Sequence, residues 1–137
     1  MKHEPRYDSE EVHHALDENL RAYDDAKAAI VHALTKVPAR VVDSLASRCL
    51  IIVPSVESVR GIHLPRKILL GNEVIAFAER VFDLPDDETE SLILHQVAHF
   101  WLKHKSAALE GMSKEEVKQQ EKEADELAAR WKNEAKG

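Results

Sequence analysis

His95-Gln96-Val97-Ala98-His99, set inside the run from Ser91 to His104, is the stretch from which the rest of the chain can be read. Leu92, His95, His99 and Leu102 fall on one helical stripe, and Ile93, Val97, Phe100 and Trp101 cover its sides. So many apolar positions around the circumference predict a central, mostly buried helix. Leu84-Pro85-Asp86-Asp87-Glu88 opens it, with an Asp cap, acidic residues in the first turn and Glu90 three positions after Asp87; the pattern runs to about His104. On such a helix, two imidazoles four residues apart lie about 40° apart around the axis and one turn along it. They point to the same place and can close on one metal ion. A buried imidazole also needs a hydrogen-bond partner or a metal.

Working toward the C-terminus, a loop passes through Gly111, and Ser113-Lys114-Glu115-Glu116 forms a complete capping box that starts the last helix. Its inward stripe is Val117, Gln120, Glu121, Ala124, Leu127, Ala128 and Trp131, while Lys114, Lys118, Lys122, Glu126 and Lys132 form its polar side. Glu121 is out of place on an apolar stripe unless it has a partner. Asp125 follows four residues later on the same face. A divalent cation would explain two acids facing inward on one helix and two histidines facing inward on another. His95, His99 and Glu121 would be three ligands of a zinc ion, leaving the fourth position to water. Asp125 would accept a hydrogen bond from the far ring nitrogen of a ligand histidine and fix its tautomer. Glu123 is an alternative ligand, rotated about 200° from Glu121. His104 lies about 140° off the ligand face, and Lys105 occupies the place where a third histidine would follow His99 by six.

Zinc sites in hydrolases use this histidine spacing as His-Glu-x-x-His, with the Glu as general base. Here the second position is Gln96. An amide can hydrogen-bond a water but cannot accept its proton, and loss of a general base costs about 10²–10⁴ in rate.

Before the central helix, residues 1–8 read as a loose start. A long N-terminal helix follows, with Ser9 as N-cap and Val12, Leu16, Leu20, Tyr23, Ile30 and Leu34 at helical spacing, ended by Pro38. Its His13, His14 and His32 read as solvated residues. A shorter helix through Val41, Val42 and Leu45 comes next. Cys49–Val53, Gly61–Leu64 and Lys67–Leu70 are short strand candidates, with Gly71-Asn72 as a turn. His63 is expected on the surface side of its strand. Val74–Phe82 fits periods of two and of 3.6 alike, and its Ala76, Ala78 and Glu79 tilt the reading to helix. The fold class is therefore α+β: a long N-terminal helix, a small sheet, and two packed helices bearing the site, in one domain spanning residues 1–137.

The composition excludes several classes. With 44% hydrophobic and 32% charged residues the chain is an ordinary globular sequence. A net charge of −6 argues against a nucleic-acid partner held through phosphates. No run approaches the roughly 20 apolar residues of a membrane span, and Met1-Lys2-His3-Glu4-Pro5 lacks an apolar signal core. The expectation is a cytoplasmic protein with no membrane partner. The one cysteine, Cys49, precedes Leu50-Ile51-Ile52-Val53 and reads as a buried reduced thiol.

Together, His95-Gln96-Val97-Ala98-His99 and the later Glu121-Lys122-Glu123-Ala124-Asp125-Glu126-Leu127-Ala128 resemble a small gluzincin, in particular the ImmA/IrrE group of bacterial metallopeptidases and the related HtpX-type proteases. The likeness covers roughly residues 86–131. It implies a minimal zincin-like domain with zinc on His95, His99 and Glu121, Asp125 behind a ligand, and Gln96 in the place of the catalytic Glu. It also implies a short sheet whose edge strand takes an extended peptide or protein substrate. Three readings of Gln96 stay open: an engineered change from Glu, a natural non-hydrolytic relative, or a chain that binds no metal and keeps both histidines as core residues. The functional alternatives are a metallopeptidase-like domain that hydrolyses peptides when Gln96 is replaced by Glu, a zinc-containing protein-binding module, and a plain structural protein.

Overall fold

The computed structural model describes residues 4–53, 61–64, 73–104 and 111–136. In chain order the elements are α1 (Ser9–Ala15), β1 (Leu20–Arg21), α2 (Asp24–Leu34), α3 (Ala39–Arg48), β2 (Cys49–Ile52), β3 (Gly61–Leu64) and β4 (Glu73–Phe77). A 3₁₀ turn (Glu79–Asp83), α4 (Asp86–Trp101) and α5 (Lys114–Lys136) complete them. The class is α+β, as the sequence implies. The long N-terminal helix is corrected to two shorter ones. Asp8, not Ser9, caps α1, sharing a reciprocal capping box with Glu11. The helix stops at Leu16, and a tertiary contact explains why. Asn19 Nδ2 donates to the Cys49 carbonyl at 2.8 Å, and Ile51 N–H donates to the Asn19 carbonyl at 2.7 Å. The backbone around Leu20 is thereby taken into the sheet as β1.

The residues ahead of α1 are not loose where they are described. Ala39 N–H donates to the Pro5 carbonyl, Arg6 Nε to the Lys36 carbonyl, and Tyr7 to Asp43. Glu4 pairs with Arg40, which in turn lies 4.9 Å over the Trp101 ring.

The sheet order is β1-β2-β4-β3. β1, β2 and β4 run parallel, with Ile51 opposite Leu20 on one side and Ile75 on the other. β3 closes the far edge antiparallel to β4, with Gly61 opposite Phe77 and Leu64 opposite Val74. Along β2 buried and half-buried residues alternate, so one face of the strand carries the core. β4 is buried at Val74, Ile75, Ala76 and Phe77, as a central strand should be. This corrects the helical reading of Val74–Phe82, which splits into β4 and the 3₁₀ turn. The strand candidate at 67–70, the turn at 71–72 and the facing of the His63 side chain lie outside the described residues.

One cluster joins Val12 of α1 and Leu16 at its C-terminal cap, Ile30 and Leu34 of α2, Val41 and Leu45 of α3, Ile51, Ile75 and Phe77 of the sheet, and Ile93, Val97 and Phe100 of α4. α5 adds Ala124, Leu127, Ala128 and Trp131, at spacings of three and four that lay one stripe against α4. Thr89 Oγ1 donates to the Val81 carbonyl at 2.8 Å and ties the start of α4 to the 3₁₀ turn. Among the described residues no helix is long and apolar enough to cross a membrane.

Candidate metal centre

α4 buries Ile93, Leu94, Val97, Ala98 and Phe100 in the core, which turns His95 and His99 toward the seam with α5. Both imidazoles are half-buried there, with side chains 15% and 13% exposed. Ser113 and Glu116 make the expected capping box, at 3.2 and 3.1 Å, and set where α5 begins. Glu121 then precedes the first buried residue of that helix, Ala124, by three positions and reaches across to the histidines.

Three ligand-type atoms meet at the seam. His95 Nε2 lies 3.0 Å from Glu121 Oε2 and 3.0 Å from His99 Nε2, and His99 Nε2 lies 2.6 Å from the same Glu121 oxygen. A tetrahedral ion with bonds of about 2.0–2.1 Å separates its ligands by about 3.3 Å. The observed triangle is slightly smaller, so side-chain rotations of a few tenths of an ångström would admit the ion. Asp125 Oδ1 is 2.8 Å from His95 Nδ1. A carboxylate there accepts the Nδ1–H and leaves the Nε2 lone pair facing the cluster. His99 is held below the usual imidazole range, first by burial and then by the neighbouring His95. A neutral imidazole is the form that binds metal.

The acids differ from the sequence reading in one respect. That reading faces Glu121 and Asp125 inward; their side chains are 52% and 74% exposed, and only their carboxylate tips turn onto the histidines. The cluster sits at the rim of the α4–α5 seam, open to solvent on the α5 side. Gln96 is half-buried, one residue past His95 on α4.

His104 is a participant that the sequence reading sets aside. A helix continuous to that point would place it about 140° off the ligand face. α4 instead ends at Trp101. Lys103 takes a left-handed conformation (φ 58°), and the next residues fold back in a Schellman turn. His104 N–H donates to the His99 carbonyl and Lys103 N–H to the Phe100 carbonyl, both at 3.1 Å. His104 Nδ1 is thereby brought to 2.9 Å from His99 Nδ1, and its Nε2 to 2.8 Å from Glu123 Oε1. Glu123, hydrogen-bonded by Gln119 and His104, is held below the usual carboxylate range. The sequence carries lysine, not glycine, at position 103, so nothing announces this turn.

The other histidines whose side chains are described lie elsewhere. His13 and His14 are exposed, and His32 stands 3.6 Å from Glu90 beside a cleft of about 640 Å³ that contains none of the cluster residues. In comparison with known proteins, the chain matches no family model, no curated protein and no solved structure.

Proposed function

We propose that this chain is a zincin-like, zinc-dependent metallopeptidase domain whose hydrolytic form carries Glu at position 96 and whose present Gln96 form is nearly inert. The observation that carries the reading is the convergence of His95 Nε2, His99 Nε2 and Glu121 Oε2 within 3.0 Å of one another. Three acceptor atoms crowded together are electrostatically unfavourable unless a cation or protons lie between them. Zinc held there would polarise a water and lower its pKa toward about 7. β3 supports a peptide substrate: it is an antiparallel edge strand packed beside α4, where an extended chain can add by backbone hydrogen bonds. Gln96 can orient a water but cannot take its proton. That amide also favours a second reading, a zinc-containing protein-binding module in which the ion joins α4 to α5.

Elemental analysis of protein purified without a metal-binding tag is the first test, with about one zinc per chain expected. Glu121→Ala and His99→Ala should lose most of it, and Asp125→Ala should weaken binding by about 10–100-fold. No stoichiometric zinc in the parent would overturn both readings. Gln96→Glu, which adds no bulk, should then gain hydrolysis of a peptide library that a chelator abolishes. Zinc bound without cleavage anywhere in that library would leave the binding module standing and the peptidase not.

A further inference from the structure

A ligand histidine must present a lone pair to its metal, and something must hold the proton on the other nitrogen. For His95 that group is Asp125. For His99, the group facing Nδ1 is another imidazole, His104 Nδ1 at 2.9 Å, and behind that lies Glu123 Oε1, 2.8 Å from His104 Nε2. Only one arrangement of protons satisfies the whole chain with a metal on His99. Glu123, an acceptor, takes the Nε2–H of His104. His104 then offers an Nδ1 lone pair, which accepts the Nδ1–H of His99 and leaves His99 Nε2 as a lone pair among the ligand atoms. The opposite polarity would set a His104 Nε2 lone pair against a carboxylate and leave a proton on His99 Nε2, between the ligands.

We infer that His104 and Glu123 are positioning residues for the metal centre, a histidine–carboxylate relay that fixes the tautomer and ring orientation of His99. The inference rests on the metal reading proposed above. The relay is built by the fold from two places: the Schellman turn after α4 supplies His104, and α5 supplies Glu123 two residues past Glu121, steadied at 3.1 Å by Gln119 Nε2 one turn earlier on the same helix. Both ring nitrogens of His104 are engaged, its side chain is only 9% exposed, and Glu123 is reached from the solvent side. The two ligand histidines thus receive their support from the same helix, one directly through Asp125 and one through an intervening imidazole.

The test compares zinc affinity, by competition with a chromophoric chelator, in the parent, His104→Ala, Glu123→Ala and His104→Asn. Loss of such support weakens binding by about 10–100-fold, so both alanine variants should fall in that range. His104→Asn should recover most of the loss, because its amide oxygen can accept the His99 Nδ1–H. Glu123 is half-exposed, so its alanine variant should keep its fold, checked by circular dichroism. A second readout is direct. In the zinc-loaded, ¹⁵N-labelled protein, a coupling across the hydrogen bond should join His99 Nδ1 to His104 Nδ1, with the proton on His99. A parent that binds zinc while all three variants match it would overturn the relay and leave the metal reading intact. The proton on His104 Nδ1 would overturn it as well. A parent that binds no zinc would overturn the metal reading and the relay with it.

Discussion

Cys49, which is buried, and His99, which is half-buried, can both titrate, and burial moves them in opposite directions because it always favours the neutral form. The Cys49 thiol is pushed up from 9.0 to about 12, first by burial and then by the charge of Glu73. The native chain therefore keeps this proton at pH values where the unfolded chain has lost it. The thiol's contribution to stability is fully present below about pH 9 and is lost as the pH rises from there to about 12. Urea unfolding of the parent and of Cys49→Ala, followed between pH 8 and 11, should show the parent losing its advantage over the variant as the pH rises. Parallel losses in the two proteins would mean that another group sets the alkaline limit. In the folded protein the same thiol should also alkylate far more slowly at pH 8 than a free cysteine does. His99, by contrast, has polar partners on both ring nitrogens, and a depressed pKa there keeps a ligand available.

The turn after α4 makes the element scale testable, because Lys103 occupies a left-handed position that suits glycine. A non-glycine residue there costs about 1–2 kcal/mol, partly offset by the extra chain entropy that glycine would lose on folding. Lys103→Gly should thus raise stability by up to about 1 kcal/mol and leave zinc affinity unchanged. Lys103→Pro locks φ near −65°, cannot make the turn, and should weaken zinc binding as His104→Ala does. Equal zinc affinity in the proline variant would separate the turn from the site. That turn also shows where sequence reading stops. The shared face of His95 and His99 was legible because helical spacing fixes it, Glu121 stood out as an acid on the apolar stripe of the next helix, and Ser113-Lys114-Glu115-Glu116 marked the start of α5. His104 was not legible, since its position depends on a chain reversal at a lysine. β1 and β4 were not legible for a related reason. Leu20 sits in a good helical pattern, and Ala76 and Ala78 are good helix formers, but backbone pairing to β2 decides both segments. Strand pairing is a long-range fact that local propensity does not contain.

At the scale of the molecule, α5 is held unevenly. Its second half buries Ala124, Leu127, Ala128 and Trp131, whereas residues 114–123 include no fully buried side chain. Among the polar ties from that first half to the C-terminal part of α4 and its turn are Glu121 on His95 and His99, and Glu123 on His104. A metal on the three ligands would stabilise the folded chain by about 2.7 kcal/mol at a free concentration one hundred times its Kd. Local stability follows buried contacts, so the gain should be concentrated where few others exist. Hydrogen exchange should show this directly. On adding a chelator, amides in residues 117–124 should lose most of their protection, while those of α2 and α3, whose Ile30, Leu34, Val41 and Leu45 are fully buried, should change least under native conditions. The same experiment on Glu121→Ala should give the unprotected pattern with or without zinc. A uniform change along the chain would mean that the metal acts only through global unfolding. No change in α5 would mean that the ion, wherever it binds, does not join the two helices.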